Sequence, residues 1–176
     1  STGDGFTDVL TLSGMTETAN GANIVNWEAI NVVDGANVTL NDIILDGVTN
    51  TASLNVCGGS ATLGGASMIG SVLGCVSDDT IIVTDDAVVS VALEGAGGSD
   101  VIQVLGDASV TGLVRGGGDG QDGSAASDGS DVITIATTGS VGGVMSDAGD
   151  DTLSLLSGTV GSASGGDGDD MMTLDG

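Results

Sequence analysis

A five-residue phrase, repeated through the chain, decides the fold. In each copy an acidic or small residue is followed by apolar side chains two and four positions later. The clearest copies are DTIIV (79–83), DVIQV (100–104), DVITI (131–135), DTLSL (151–155) and DMMTL (170–174). Weaker copies are DVLTL (8–12), NDIIL (41–45) and GSATL (59–63). Successive copies start 18–21 residues apart, apart from two longer intervals of 33 and 31 residues.

This spacing predicts an all-β, right-handed parallel β-helix (β-solenoid) of about eight coils. Alternation with period two indicates strands, and a fixed interval of about 20 residues indicates one lap of a stacked coil. The long intervals predict insertions near 15–25 and 116–130, within a single domain, 1–176, that is a segment of a longer array. An antiparallel sandwich is the alternative, although it does not require identical phrases at a constant interval. Neighbouring inward columns are expected to hold Leu10, Ile43 or Ile44, Leu63, Ile81, Ile102, Ile133, Leu153 and Met172.

The charge balance limits the partners. Twenty-five acids face one base, Arg115, so the formal net charge is −24. Binding to nucleic acid through phosphates is therefore excluded, and divalent cations are the expected partners. A mean hydropathy of +0.36 argues against disorder. No apolar run reaches the length of a membrane span, so no membrane insertion is expected.

Two bacterial families share these features. DTLSLLSGTVGSASGGDGDD (151–170) and NWEAINVVDGANVTL (26–40) resemble the passenger β-helices of autotransporter-type surface proteins. GGDGDDMMT (165–173) and GAGGSDVIQ (95–103) resemble the Gly/Asp-rich nonapeptide of RTX proteins, which hold Ca²⁺ in such loops. The second half looks closest to the one-motif-per-lap variant in giant bacterial adhesins. These resemblances imply a secreted protein of the bacterial cell surface.

The repeated aspartates are the candidate metal ligands. Carboxylates stacked about 4.8 Å apart would repel by about 0.9 kcal/mol even in bulk water, and the chain lacks bases to neutralise them. Either Ca²⁺ bridges adjacent laps, or each Asp accepts backbone N–H bonds at its turn. With Asn41 and Gly59 in the column, the first half is expected to bind metal poorly. The candidate Ca²⁺ ligands are Asp79, Asp100, Asp131, Asp150, Asp151, Asp167, Asp169 and Asp170.

Cys57 and Cys75 are one lap apart. Stacked neighbours at that spacing fall within the Cα separation of a disulfide, and an extracellular setting would allow the bond. The alternative is a pair of reduced, buried thiols. No cysteine–histidine zinc site exists, because the chain has no His.

A non-enzymatic adhesin stalk or surface-layer-like module is the expected function, a rigid rod with acidic corners. Its expected partners are divalent cations, its own flanking repeats or other copies joined end to end, and a host or cell-surface glycan. With no His and no Lys, nucleophilic triads are unavailable. The first alternative is a carbohydrate-active β-helix enzyme, either a polysaccharide lyase that uses Arg115 as its base or a hydrolase that uses paired carboxylates. A minor alternative is an ice-binding module, since the repeat places several Thr residues on the outward side of the strands: Thr11, Thr62, Thr80, Thr134, Thr152 and Thr173. This alternative is minor because Ile82, Gln103 and Ser154 interrupt the array.

Overall fold

The computed structural model describes residues 8–21, 24, 27–45, 52–118 and 128–175. Within these ranges the chain forms sixteen strands joined in one parallel sheet that closes into a coil. The first eight strands are β1 (Val9–Ser13), β2 (Thr16–Asn20), β3 (Ala29–Val33), β4 (Asn37–Asn41), β5 (Ile44–Leu45), β6 (Ser53–Cys57), β7 (Ser60–Gly64) and β8 (Met68–Leu73). The others are β9 (Thr80–Val83), β10 (Val88–Ala96), β11 (Val101–Gly106), β12 (Ser109–Gly117), β13 (Val132–Met145), β14 (Thr152–Val160), β15 (Ala163–Ser164) and β16 (Met171–Leu174).

Strand pairing arranges the coil in three faces. Face I is the ladder β2–β4–β7–β9–β11–β13–β14–β16. Face II joins β5 to the first residues of β8, β10 and β12, then to β13 and the end of β14. Face III is the ladder β1–β3–β6 continued by the later residues of β8, β10, β12 and β13, and by β15. From β3 onward the described chain therefore runs from face III to I to II in each turn.

The predicted fold class is confirmed: the protein is a right-handed parallel β-solenoid of about seven turns. On face I most turns take 19–23 residues, and the turn from Val101 to Val132 takes 31. That long turn contains the insertion predicted at 116–130, of which 119–127 lie outside the described residues. The expected eight coils become seven turns because eight strands on one face bound seven intervals.

The prediction that the phrases at 8–12 and 41–45 stack in the same columns as the later phrases is wrong. Residues 9–12 belong to β1 on face III, whereas the phrase at 41–45 ends in β5 on face II. Leu10, Ile43 and Ile44 therefore lie outside the inward columns of face I. Residues 15–25 are not simply an insertion either, since Thr16–Asn20 is β2, the first strand of face I. The first described strand, β1, thus lies on face III, whereas the last, β16, lies on face I.

The core is narrow and aliphatic. On face I the column Val38, Ala61, Ile81, Ile102, Ile133 and Leu153 is 0–1% exposed. Leu40, Leu63, Val83, Val104 and Ile135 form a parallel column of the same kind. Residues of like shape stack on one another about 4.8 Å apart, so the core repeats along the axis without large rings. Trp27 is half-buried against the core.

The two described ends differ. At one end Met172 and Leu174 continue the inward columns but remain 40% and 71% exposed, and Leu174 lines a cavity of about 380 Å³ with Leu155 and Val160. At the other end the inward position next to Val38 is held by Glu17. Joining these ends in register would place a carboxylate over Met172. Among the described residues no helix is long and apolar enough to cross a membrane.

Candidate metal site at the acidic corner

The acidic residues of the second half converge on the corner between faces III and I, called here the III–I corner. In the early turns this corner takes two or three residues, as at 14–15, 34–36 and 58–59. From the fourth turn onward the described residues form longer connections, at 74–79, 97–100, 128–131, 146–151 and 165–170. Only the later turns therefore have room to fold a carboxylate inward.

The predicted aspartate column exists. Asp79, Asp100, Asp131 and Asp151 are only 1–2% exposed, while Asp170, in the last described turn, is exposed. Each backbone N–H donates to Oδ1 of the aspartate one turn further on: Asp79 to Asp100, Asp100 to Asp131 and Asp131 to Asp151, all at 2.8 Å. The N–H of Asp151 donates to Oδ1 of Asp170 at 3.1 Å. The column is a continuous side-chain ladder, called here the aspartate ladder.

Asp79 is the first member of the ladder. Its Oδ1 accepts the N–H groups of Gly58 (2.6 Å) and Gly59 (3.2 Å), and its Oδ2 accepts the N–H of Cys75 (3.1 Å). Gly59 takes the equivalent position one turn earlier, as predicted. Asn41 does not take the position before that, because it lies at the far end of β4 and Ala36 stands in the column instead.

Glycines make room for the inward carboxylates. A Cβ on Gly95 would overlap Oδ2 of Asp100, and one on Gly116 would overlap Oδ2 of Asp131. Gly165 has the same relation to Asp170. The glycine at the end of the face III strand is therefore a packing requirement of the aspartate ladder.

The predicted ligands Asp150 and Asp169 form a second, outer column. The N–H of Ser99 donates to Oδ1 of Asp78 (2.8 Å), and that of Asp169 donates to Oδ1 of Asp150 (3.0 Å). Here the acceptor lies in the earlier turn, so the outer column runs opposite to the aspartate ladder. Asp150, Asp169 and Asp167 are exposed. These side chains bond to a neighbouring loop or remain exposed to solvent, and none of them packs in the interior.

Two further acids missed by the predicted ligand set lie close to the ladder. Asp128 accepts the N–H of Ala148 at 3.0 Å, and a Cβ on Gly117 would contact both Asp128 and Asp147. Asp147 adopts a positive φ of 69° and lies 3.8 Å from the guanidinium of Arg115. The only base of the chain is thus an ion-pair partner of the acidic corner.

Five carboxylate oxygens in this corner are buried without a hydrogen-bond partner: Asp100 Oδ2, Asp128 Oδ1, Asp131 Oδ2, Asp147 Oδ2 and Asp151 Oδ2. Burial, with a smaller contribution from neighbouring carboxylates, raises the pKa of Asp100 to about 7 and that of Asp131 to about 8, although the backbone N–H bond that each accepts acts in the opposite direction. Burial also raises the pKa values of Asp79, Asp128, Asp147 and Asp151. The corner therefore favours a proton or a cation next to these oxygens.

The donor chemistry fits Ca²⁺, which takes six to eight oxygen ligands including backbone carbonyls. The geometry is not a complete cage, because no three acidic or cysteine side chains of the described ranges come together as a metal-binding group. The residues that would hold an ion here are those with a buried carboxylate oxygen without a partner: Asp100, Asp128, Asp131, Asp147 and Asp151.

The two cysteines are adjacent in neighbouring turns. The structure has both as free, half-buried thiols. Burial, followed by the hydrogen bond that links its thiol to Cys75, raises the pKa of Cys57 to about 12. The predicted disulfide between Cys57 and Cys75 stays a prediction, which the contact between their thiols makes geometrically reasonable.

Comparison of the chain with protein-family models, with curated proteins and with solved structures gives no match. The resemblance to autotransporter passengers and RTX proteins consequently rests on the sequence motifs. The parallel β-solenoid is what the structure itself establishes.

Proposed function

We propose that this protein is a non-enzymatic, extracellular structural rod of a bacterial surface, with a III–I corner that binds Ca²⁺. The aspartate ladder is the observation that carries the proposal. Its four most buried members keep three unpartnered carboxylate oxygens in a protein of net charge −24. Burying such charges without a counter-charge is costly, and a divalent cation removes that cost.

The rod role is supported by how the turns are joined. Backbone ladders run along all three faces, and the aspartate ladder adds one side-chain link per turn at the III–I corner. Each turn contacts mainly its neighbours, so stability accumulates along the axis as in other repeat proteins. A stiff spacer or surface-layer module needs this property and requires no reactive group.

In the proposed ion sites Asp100, Asp131 and Asp151 supply the inner carboxylate oxygens, while Asp128 and Asp147 supply them from the loops. When bound, Ca²⁺ would neutralise the facing carboxylates and tie one turn to the next. The early turns, with Met15, Ala36 and Gly59 in the same column, have no such donor.

Calcium titration of the melting temperature tests the proposal. With Ca²⁺ at about 100 times its dissociation constant, binding stabilises the fold by about 2.7 kcal/mol. At about 2–4 °C per kcal/mol, the melting temperature should rise by about 5–10 °C, and a chelator should reverse the rise.

Matched variants localise the effect. Asp131→Asn should lose at least half of the calcium-induced rise, whereas Asp86→Asn, at an exposed site outside the III–I corner, should keep it. A melting temperature unchanged by Ca²⁺ would reject the ion site and leave only the rod. Activity on polysaccharides that disappears in Arg115→Ala would reject the non-enzymatic role.

A further inference from the structure

The two cysteines lie opposite each other on neighbouring turns, where face III meets the III–I corner. β6 and β8 pair Asn55 with Leu73, and the same register, continued by two positions, places Cys57 opposite Cys75. Both cysteines are free and half-buried, and their thiols are hydrogen-bonded to each other. Two soft donor atoms therefore meet between adjacent turns. They are called here the cysteine pair.

The backbone on both sides of the cysteine pair is held in place. Oδ1 of Asp79 accepts the N–H of Gly58, which follows Cys57, at 2.6 Å, and Oδ2 accepts the N–H of Cys75 at 3.1 Å. The carbonyl of Cys75 accepts the N–H of Gly97 at 2.6 Å. The sulfur atoms are thus positioned in advance, which lowers the entropic cost of a ligand that joins them. The Asp79 carboxylate also makes the surroundings negative, which favours a cation.

A cavity gives an ion access to the cysteine pair. It has a volume of about 380 Å³ and is lined in part by Asn31, Asn55, Cys57, Leu73 and Glu94. Four of these, from Asn31 to Glu94, follow one another in the outward row of face III through the registers of β3, β6, β8 and β10. The cavity therefore lies on the outer side of the coil, where a small ion can reach the thiol of Cys57.

The donor set narrows the class of ion. Thiolate sulfur is a soft ligand that selects Cu(I) over hard ions such as Ca²⁺. A zinc site takes four ligands, and among the described residues no three Cys, His, Asp or Glu side chains come together as a metal-binding group. The chain has no other cysteine and no histidine. An ion that is satisfied by two sulfur ligands is therefore required, and monovalent copper forms linear complexes of this kind.

The spacing of the turns fits such a linear unit. With metal–sulfur bonds of about 2.3 Å, the two sulfur atoms of a linear complex lie about 4.6 Å apart. Adjacent parallel strands lie about 4.8 Å apart, so two side chains in register can hold the ion without a shift of the backbone. On binding, each thiol releases its proton to the solvent and no electron is transferred.

We propose that Cys57 and Cys75 form a binding site for a soft monovalent metal ion, Cu(I). The ion would tie two turns together at the point where the aspartate ladder begins. A disulfide is the oxidised alternative for the same two sulfur atoms. Its formation removes two protons and two electrons, and it would exclude the ion. This role is additional to the calcium-binding rod and does not depend on it.

The test is anaerobic titration of the reduced protein with Cu(I), in competition with the chromogenic chelator bicinchoninate. We expect one Cu(I) per chain, with binding weakened by about 100-fold or more in Cys57→Ser and in Cys75→Ser. Met68→Leu, which removes an exposed sulfur atom from face II, is the matched control and should bind as the wild type does. X-ray absorption of the copper should show two sulfur neighbours.

Unchanged circular dichroism and melting temperature establish that the serine variants fold; if one does not fold, the other carries the comparison. A reduced wild-type chain that takes no Cu(I) from the chelator would overturn the proposal and leave the cysteine pair to the disulfide. A serine variant that binds as tightly as Met68→Leu would also overturn it. Displacement of the bound copper by an equal concentration of Zn²⁺ would contradict a two-coordinate site.

Discussion

At the scale of single residues, the ladder aspartates perform the hydrogen bonding that a neutral amide could also perform. Oδ1 of Asp131 accepts the N–H of Asp100, as an amide oxygen would, but Oδ2 is buried without a partner. An asparagine could keep the first bond and offer an N–H₂ group in place of the second oxygen. Carbonyl oxygens lie in that region, since Ser146 O and Asp131 Oδ2 both lie close to Gly116. Retaining a carboxylate therefore makes sense only if something compensates its charge.

Asp131→Asn should stabilise the calcium-free protein at pH 8. The substitution removes a buried carboxylate oxygen without a partner, and an unsatisfied buried polar group ordinarily costs about 1–3 kcal/mol, or more when it is charged. Chemical denaturation in the presence of chelator measures the difference. In saturating Ca²⁺ the order should reverse, because the variant lacks an ion ligand. A variant that is less stable than wild type under both conditions would contradict this account.

Gly95→Ala should destabilise the fold by about 1–3 kcal/mol, the range for forced overpacking. A Cβ there would collide with Oδ2 of Asp100 and with the carbonyl of Gly116. Thr152→Ala, on the outward surface of face I, is the control and should change the free energy of unfolding by less than about 1 kcal/mol. Equal effects of the two substitutions would show that the glycine is not a packing requirement.

At the scale of strands, alternation identified inward residues well but could not identify the face. Ile81, Ile102, Ile133 and Leu153 form the predicted column because their phrases belong to the same face. The strands of faces I and III alternate alike, so a phrase from either fits the same pattern. The sequence predicts an insertion where β2 lies because the interval there is long and the segment is polar, with Glu17 at the inward position of the strand.

The repeat also predicts the aspartate column of the III–I corner, but it does not predict which loop acids are buried beside that column. Five aspartates at a constant offset before a strand must stack once the turns do, and they do so. Asp128 and Asp147 were missed as ligands because their burial depends on loop geometry. The positive φ of Asp147 and the absence of a side chain on Gly117 create that geometry. Only the G-x-D character of these loops hints at it.

Ile133→Ala should cost about 2–5 kcal/mol, the usual range for truncating a buried aliphatic side chain. Ile133 is completely buried between Ile102 and Leu153. Val132, its neighbour in the same strand, is 42% exposed and points outward, so Val132→Ala should cost less than about 1 kcal/mol. Urea denaturation of the pair tests whether the alternation sets the energetics, and similar losses would contradict it.

At the scale of the molecule, the buried carboxylates should make stability depend on pH in an unusual direction. The folded pKa values of Asp100 and Asp131, about 7 and about 8, lie above the ordinary value of 3.8. The folded state therefore binds more protons than the unfolded state between these limits. Their contribution is fully present below about pH 4 and is lost as the pH rises through 7 and 8.

In chelator, the melting temperature should consequently fall by several degrees between pH 5 and pH 9. The double variant Asp100→Asn/Asp131→Asn should have a flatter profile, and Ca²⁺ should flatten the wild-type profile above pH 7. Thermal denaturation at constant ionic strength measures these curves. A wild-type melting temperature that rises over this range in chelator would contradict the proton-binding argument.

The aspartate ladder begins at Asp79, so the turns before and after this residue should differ in mechanical stability. Before it, neighbouring turns meet at the III–I corner through tight turns with Met15, Ala36 and Gly59 in the column; after it, a side-chain bond fastens every successive pair. When the rod is pulled along its axis, the turns before Asp79 should separate first. The turns after Asp79 should stay together at higher force. A tether built this way yields in stages, and the turns after Asp79 are the last to separate under load.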